Sequence, residues 1–428
     1  MNIIIVLIVL ILLLLTSIPV GIALYLTGFL FIVFTTDISL NFIGQVIVGG
    51  VDKFSLLAVL FFLIAGNLLT RGTVVRGLVG IAKTMVGFLR GGLPMSGVVA
   101  CGLFGSVSGS NVATLAAIGG MMMPAMREEG YDPQFTTGLM TSNAILGVII
   151  PPSIPMIIYC AITNSSIGRL FIAGVLPGVL IIICMCVYCY FYAKIRHIAK
   201  TSFPTPKEIL ISFKEGIGGL LVPIIIFGGI YSGFFTATEA SVVATVYAYI
   251  AELFIFREMS FKEAYKITIE ACVMTGVIMF IVVGAVLFGN YLSLEQVPLA
   301  VTKFISANVS TKFAFITLII IFLIFLGMVL ELVAAMLIIT PVFMPSVAKF
   351  GIDPIHFGMI IILGLAIGFI TPPVGLNLYV ASSMTKMELS KVIKATLPFV
   401  IILIISFLLV AYFPTISLWL PKILLGSS

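Results

Sequence analysis

The chain has 428 residues, of which 61% are hydrophobic and 9% are charged, and its mean hydropathy is +1.31. A soluble domain carries roughly 25% charged residues, so this composition excludes a soluble globular protein and predicts a polytopic membrane protein. The net charge of +6 does not indicate nucleic-acid binding, because the basic residues lie in loops between apolar segments.

The predicted elements begin with an apolar segment over 1–34 that contains Pro19. It has no basic n-region and no cleavage site, so we interpret it as a retained first helix, either tilted and kinked or followed by an entry segment. A polar-interrupted connection over 35–53 precedes a span over 54–70. The segment 71–90 places basic residues between apolar ones, which predicts an amphipathic arm at the membrane surface.

A re-entrant hairpin is predicted over 93–123, because this apolar segment becomes rich in Gly and Ser at 106–111. A broken helix follows over 135–163. Pro151 and Pro152 interrupt its apolar run, and proline in a helix interior removes a hydrogen bond and clashes with the preceding turn. In a membrane such a break must face protein or a wet cavity.

The rest of the chain repeats the same kinds of element. We predict spans over 170–193, 217–234 and 236–256, a span that ends near 290, a second arm over 292–312, a second hairpin over 313–344, a second broken helix over 357–383 and a last span over 395–420.

The two hairpin-and-break units are copies of each other. Five prolines match without a gap at an offset of 221 residues, although the chain has only 20 prolines, so the match indicates an internal duplication. The matched prolines are Pro124 with Pro345, Pro133 with Pro354, Pro151 with Pro372, Pro152 with Pro373, and Pro177 with Pro398.

The basic residues predict the orientation. When the first arm is placed in the cytoplasm, 16 of the 22 Lys and Arg residues fall on the cytoplasmic side, as the positive-inside rule requires. The N-terminus is then cytoplasmic, the C-terminus is periplasmic, and the two arms lie on opposite sides. The predicted fold is therefore an all-α polytopic membrane protein with two inverted-topology repeats, each holding a re-entrant hairpin and a broken helix.

We divide the chain, as a single membrane domain over 1–428, into a fixed scaffold and a moving transport unit. The predicted parts are scaffold helices and the first arm (1–92), the first half of the transport unit (93–165), scaffold helices and the second arm (166–312), the second half of the transport unit (313–385) and a final scaffold helix (386–428).

The broken helices and hairpin tips supply the predicted site. New helix N-termini attract anions, whereas unwound carbonyls with side-chain oxygens suit a hard cation. Close helix packing is the alternative explanation for any single serine. The predicted substrate ligands are Ser108, Ser110, Asn111, Ser153, Glu331 and Asn377. The predicted cation ligands are Ser106, Ser110, Asn111, Asn143, Pro151, Glu331, Thr371, Pro373 and Gly375.

Glu331 is the most informative single residue, because a carboxylate within a membrane is costly and usually functional. At the offset of 221 it corresponds to Ser110, so we expect both to project toward a cavity between the hairpin tips. The alternative is a structural ion pair with a Lys or Arg. We expect Glu331 to order a cation or accept hydrogen bonds from substrate hydroxyls, rather than meet a substrate carboxylate.

Five motifs are typical of one transporter family: Gly105-Ser106-Val107-Ser108-Gly109-Ser110, Met123-Pro124-Ala125-Met126, Gly130-Tyr131-Asp132-Pro133, Ile149-Ile150-Pro151-Pro152-Ser153 and Thr371-Pro372-Pro373-Val374-Gly375-Leu376-Asn377. With them, and over essentially its whole length, the chain resembles the large membrane subunit of TRAP (tripartite ATP-independent periplasmic) transporters. The resemblance implies an elevator-type, sodium-driven importer of organic anions in the bacterial inner membrane, and we place one sodium ion at each junction of hairpin and break.

The resemblance also implies two protein partners, a small membrane subunit and a soluble periplasmic substrate-binding protein. Substrates of the family are mostly carboxylates. The chain looks more like the sialic acid branch, which makes sialic acid the first expectation and a C4-dicarboxylate the second.

Two other functions stay open from the sequence. A stand-alone sodium-coupled carboxylate carrier of similar architecture has a Ser-Asn-Thr signature at its hairpin tips, whereas here Asn111 is followed by Val112. An intramembrane enzyme would need a catalytic motif, and the sequence contains neither His-Glu-x-x-His nor a phosphate-binding loop.

Overall fold

The computed structural model describes residues 3–16, 18–70, 72–200 and 202–426, and within these ranges all regular secondary structure is helical. The all-α prediction is therefore confirmed. Arg71, the first residue of the predicted first arm, lies outside the described residues, as do Met1 and the last two residues.

The first eleven helices cover the first arm, hairpin and broken helix. They are α1 (Ile3–Leu15), α2 (Val20–Thr35), α3 (Leu40–Val51), α4 (Leu57–Leu68), α5 (Gly72–Val86), α6 (Gly92–Ser108), α7 (Asn111–Thr114), α8 (Gly120–Glu128), α9 (Pro133–Asn143), α10 (Leu146–Ile149) and α11 (Ile154–Thr163). A 3-10 turn (Phe54–Leu56) precedes α4, and a π-helical turn (Leu115–Gly119) joins α7 to α8.

The second eleven helices contain the second copy. They are α12 (Ile167–Ile195), α13 (Pro206–Tyr231), α14 (Ala237–Ile250), α15 (Phe261–Leu294), α16 (Val297–Asn308), α17 (Lys312–Gly327), α18 (Leu332–Lys349), α19 (Pro354–Gly368), α20 (Leu376–Thr385), α21 (Leu389–Tyr412) and α22 (Thr415–Leu425). A π-helical turn (Ala251–Ile255) continues α14.

The described helices include enough apolar length to cross a membrane repeatedly. Six are long and apolar enough by themselves, and the number rises to eight if each of two bent pairs is one span. One bent pair is α3 with α4, at 52°, and the other is the first broken helix, at 40°.

The structure decides between the two forms predicted for the first segment and corrects two other boundaries. The first segment contains two helices, α1 and α2, in agreement with a helix plus an entry segment, because Pro19 precedes α2 and cannot donate its backbone nitrogen. The connection over 35–53 contains the helix α3, whose Gly50 packs so closely that an added Cβ would lie 2.9 Å from Val286 Cγ1. The last span ends at Tyr412, and α22 starts after Pro414 as a separate helix.

We sort the helices into two packing groups, which also contact each other where α5 packs on α6 and α15 packs on α18. In the first, α15 packs on α2, α3 and α4, α14 packs on α4, and the first arm α5 packs on α13. In the second, the hairpins and broken helices pack together with α12 and α21, since α21 lies along α9 and α12 lies along α6. The predicted division had counted α12 and α21 as scaffold. Which helices move remains a prediction, but by packing these two belong with the hairpins.

Candidate functional site

The tip of the first hairpin lies at residues 108–111, as predicted. The helix α6 ends at Ser108, and Gly109 adopts a left-handed conformation (φ +60°) that a residue with a side chain rarely takes. Ser110 then caps α7, where its Oγ accepts a hydrogen bond from the Ala113 backbone N–H at 3.4 Å. The chain can therefore enter and return on one side of the molecule.

The first helix break packs directly against this tip. A Cβ added to Gly147 would lie 2.5 Å from both the Ser110 carbonyl oxygen and Thr114 Oγ1, so only glycine permits this approach. The break itself contains a cis peptide bond between Pro151 and Pro152. The structure thus brings together two segments that the sequence separates by about 40 residues.

Two buried amide oxygens at this junction have no hydrogen-bond partner among the described residues. Asn111 Oδ1 lies on the hairpin tip, and Asn143 Oδ1 lies at the end of α9 just before the break. Their residues are 4% and 0% exposed. Since buried polar atoms are normally paired, two acceptors without donors favour a bound cation or a donor from a ligand.

The other predicted ligands of the first half have internal partners. Ser106 Oγ donates to the Leu103 carbonyl at 2.6 Å, and Ser153 Oγ donates to the Val148 carbonyl at 2.7 Å. Ser108 Oγ lies 3.2 Å from Thr114 Oγ1. A hydroxyl that donates its proton still offers lone pairs, so these bonds are compatible with a ligand role and do not require one.

The second half repeats the arrangement with different residues. The break after α19 contains a cis peptide bond between Pro372 and Pro373, and Gly375 precedes α20 in a left-handed conformation (φ +48°). Asn377 is fully buried, and neither its Oδ1 nor its Nδ2 has a partner among the described residues. Thr371 Oγ1 donates to the Ile367 carbonyl at 2.7 Å.

Glu331 sits at the tip of the second hairpin. Its carboxylate accepts a hydrogen bond from the Ala334 backbone N–H at 3.0 Å and so caps α18. The side chain borders a groove of about 480 Å³ whose other walls are apolar and come from the start of α2 and the middle of α15. Among the described residues that line this groove none belongs to the first hairpin, and a common cavity of Glu331 and Ser110 stays a prediction.

Three residues near the site were not predicted. Thr114 is fully buried, and its Oγ1 donates to the Ser110 carbonyl at 2.8 Å. Ser142 Oγ is buried without a partner among the described residues. Gly66 of α4 lies against the hairpin tip, where an added Cβ would be 3.1 Å from the Val107 carbonyl oxygen. The spacing of Thr114, one helical turn after Ser110, could have identified it.

The family model described as "Tripartite ATP-independent periplasmic transporter, DctM component" matches residues 7–416. A C4-dicarboxylate TRAP transporter large permease of Pseudomonas aeruginosa is 41% identical over 371 residues, covering 87% of each chain. A sialic acid TRAP transporter large permease of Vibrio cholerae is 35% identical over 410 residues, covering 96% of each chain.

Two solved structures share the fold at 13% sequence identity. The YdaH transporter of Alcanivorax borkumensis superimposes with a TM-score of 0.62 over 88% of each chain. MtrF of Neisseria gonorrhoeae gives a TM-score of 0.59 over 90% of this chain and 84% of its own. From the family match and these relatives, the chain belongs to the DctM-component family of tripartite ATP-independent periplasmic transporters, and it is a multi-pass transport permease rather than an enzyme.

Proposed function

We propose that this chain is the permease of a sodium-driven importer of a carboxylate-bearing organic anion. The observation that carries the proposal is the set of buried, unpartnered amide groups at the helix breaks, namely Asn111 and Asn143 in the first half and Asn377 in the second. Amide and backbone oxygens without donors suit a hard monovalent cation. One sodium ion at each junction would be coordinated by these oxygens, and its positive charge would allow an anion to bind beside it.

The anion would meet helix N-termini rather than a basic side chain. Ser153 precedes α11 and Ser110 caps α7, so the first break and the first tip each place a helix N-terminus at the junction. Glu331 is acidic and would repel a substrate carboxylate, which supports its proposed role in ordering a cation.

The substrate belongs to the carboxylates by analogy with relatives. The relative at 41% identity is named for C4-dicarboxylates, and a relative at 35% is named for sialic acid. The higher identity makes a C4-dicarboxylate the first compound to test, ahead of the sialic acid expected from the resemblance to that branch. Membership in a tripartite family supports a small membrane subunit and a periplasmic binding protein as partners.

An elevator movement is proposed for the transport cycle. The packing group of hairpins, broken helices, α12 and α21 would slide as one body along the group formed by α2, α4, α13, α14 and α15. We place this protein in the inner membrane with its N-terminus in the cytoplasm. The charge bias of the loops supports that orientation.

Uptake into liposomes tests the proposed function. The permease, its small subunit and the cognate binding protein are reconstituted, and uptake of labelled succinate and sialic acid is measured with external sodium or potassium. We expect uptake that requires both sodium and the binding protein. Equal uptake in potassium driven by a proton gradient would contradict sodium coupling, and uptake without the binding protein would favour the stand-alone carrier.

A further inference from the structure

A lysine in the first packing group donates a hydrogen bond to the C-terminal end of a helix in the second packing group. Lys53, just before the 3-10 turn that opens α4, donates from Nζ to the Ala161 carbonyl oxygen at 2.5 Å. Ala161 lies in the last turn of α11, the helix that follows the first break. The contact therefore joins α4 to the broken helix, across the boundary between the two packing groups.

The acceptor is a carbonyl that the helix itself cannot satisfy. In a continuing helix the Ser165 N–H would bond to the Ala161 carbonyl, but here it donates to Cys160 O at 3.1 Å, because Asn164 turns the chain with φ +54°. The Ala161 carbonyl is thus among the terminal carbonyls that need an outside donor. An ammonium group suits this position, since the C-terminal end of a helix carries partial negative charge.

The donor is anchored on the other side of the boundary. Thr238 of α14 donates from Oγ1 to the Phe54 carbonyl at 3.3 Å, so the turn beside Lys53 is tied to α14. Within the described residues no acidic side chain forms an ion pair with Lys53. The lysine is half-buried, and its described polar contact is the one to α11.

We propose that Lys53 is a positioning residue for transport, which holds the hairpin group at one end of its travel by capping α11. The inference rests on the proposed elevator movement. A displacement longer than a lysine side chain breaks this bond, so the bond stabilises one end position and not the other. Removing it shifts the equilibrium toward the other end position.

The variants Lys53→Ala and Lys53→Arg separate this role from a general effect on folding. Arginine keeps the charge and the donors, so it should restore the behaviour of the unchanged protein. Lys312→Ala is the matched control, because Lys312 Nζ also donates to a backbone carbonyl, that of Gly351, at 3.2 Å. Lys312 begins α17 and Gly351 follows α18, so this bond lies within one packing group and its loss should leave the position of the hairpin group unchanged.

The readout is the distance between two spin labels, measured by pulsed electron paramagnetic resonance on the complete complex. One label replaces Phe234, which is 81% exposed in the turn between α13 and α14, and the other replaces the exposed Lys422 on α22, which packs on α12. The three cysteines that are not fully buried, Cys184, Cys186 and Cys272, are changed to serine.

We expect two distance populations, whose ratio changes by about threefold to tenfold in Lys53→Ala, the range for loss of a partly exposed charged hydrogen bond. Lys53→Arg and Lys312→Ala should keep the original ratio. If Lys53→Ala and the unchanged protein showed two populations in the same ratio, the proposed role of Lys53 would be overturned, whereas the elevator movement would stand. One distance under all conditions, with and without sodium and substrate, would overturn the elevator movement together with it.

Discussion

Gly327 and Gly368 cross so closely that a Cβ on Gly368 would lie 2.5 Å from the Gly327 Cα. The first half contains the corresponding crossing, where a Cβ on Gly105 would lie 3.0 Å from the Gly147 Cα. In each half, glycines allow the first helix of the hairpin (α6 or α17) to contact the helix that precedes the break (α10 or α19). The breaks are therefore held by backbone packing, which places their polar groups at a defined distance from the tips.

This crossing predicts a strong effect of a small substitution. Gly368→Ala should destabilise the folded protein by about 1–3 kcal/mol, because the added methyl group meets backbone rather than a flexible side chain. Thermal unfolding of the purified complex in detergent measures the change. Gly276→Ala on α15 is the control, since a Cβ there would have no described atom within 4 Å. Equal melting temperatures for the two variants would contradict the proposed tight crossing.

A second prediction concerns the proposed sodium site of the first half. Asn143→Ala removes the unpartnered Oδ1, so the sodium concentration that gives half-maximal uptake should rise about tenfold or more. Uptake is measured against sodium at constant ionic strength. Asn308→Ala is the matched control, because both asparagines donate from Nδ2 to the carbonyl four residues earlier, Asn143 to Leu139 and Asn308 to Phe304, each at 2.8 Å, and Asn308 lies on the exposed second arm. An unchanged sodium dependence in Asn143→Ala would remove this residue from the site.

Glu331→Gln tests the carboxylate at the second hairpin tip. The glutamine oxygen can still accept the hydrogen bond from Ala334 N–H, so the cap of α18 and the fold should persist while transport falls at least about tenfold. Uptake and co-purification with the small subunit are the two measurements. Glu388→Gln, at an exposed carboxylate, should leave uptake unchanged. Normal uptake in Glu331→Gln would show that Glu331 has only a structural role. Failure of this variant to fold would favour the alternative of a structural ion pair with a Lys or Arg.

The loop between α14 and α15 predicts a pH-dependent contribution to stability. Hydrogen bonds from the Thr73 hydroxyl and backbone N–H, with the nearby Arg76 guanidinium, lower the pKa of Glu258. Because the pKa of Glu258 is lower in the folded protein than in the unfolded chain, its charged form stabilises the folded protein at pH values above the ordinary carboxyl pKa. This stabilisation is lost as the pH falls through the lowered pKa of the folded protein.

The variant Glu258→Gln should therefore lower the melting temperature near neutral pH. The loss should amount to about 1 kcal/mol or less, because Arg76 is largely exposed. The difference from the unchanged protein should shrink in acid. If the difference in melting temperature between Glu258→Gln and the unchanged protein grew on acidification, the pKa of Glu258 would not be lowered in the folded protein. Lys391→Ala, which breaks the exposed pair with Glu388 at 3.3 Å, is the control.

The inverted orientation of the repeats is tested by labelling. Lys83 on the first arm and Lys303 on the second are both exposed, and the proposed topology places them on opposite sides of the membrane. A membrane-impermeant amine reagent applied to intact inner-membrane vesicles and to spheroplasts should modify one lysine in each preparation. Modification of both from the same side would contradict the inverted arrangement.

Much of the fold follows from local chemistry in the sequence. The apolar composition, the matched prolines and the Gly-Ser hairpin tip predicted an all-α membrane protein with two copies of a hairpin and a broken helix, and these features are confirmed. Proline position and apolar length are local properties, so they can be read without knowing the packing. The boundary at Pro414 was misjudged and the one at Pro19 was left open, because a proline between apolar residues can kink a helix or end it.

Tertiary packing decided the rest. The sequence did not indicate that α12 and α21 pack on the hairpins, that Gly66 of α4 touches the first tip, or that Glu331 borders an apolar groove formed with α2 and α15. In a membrane protein nearly every helix is apolar on several faces, so hydrophobic pattern does not select its neighbours. The sequence by itself determined the elements and their duplication, whereas close backbone contacts at glycines, which form only in the folded chain, decided which elements meet.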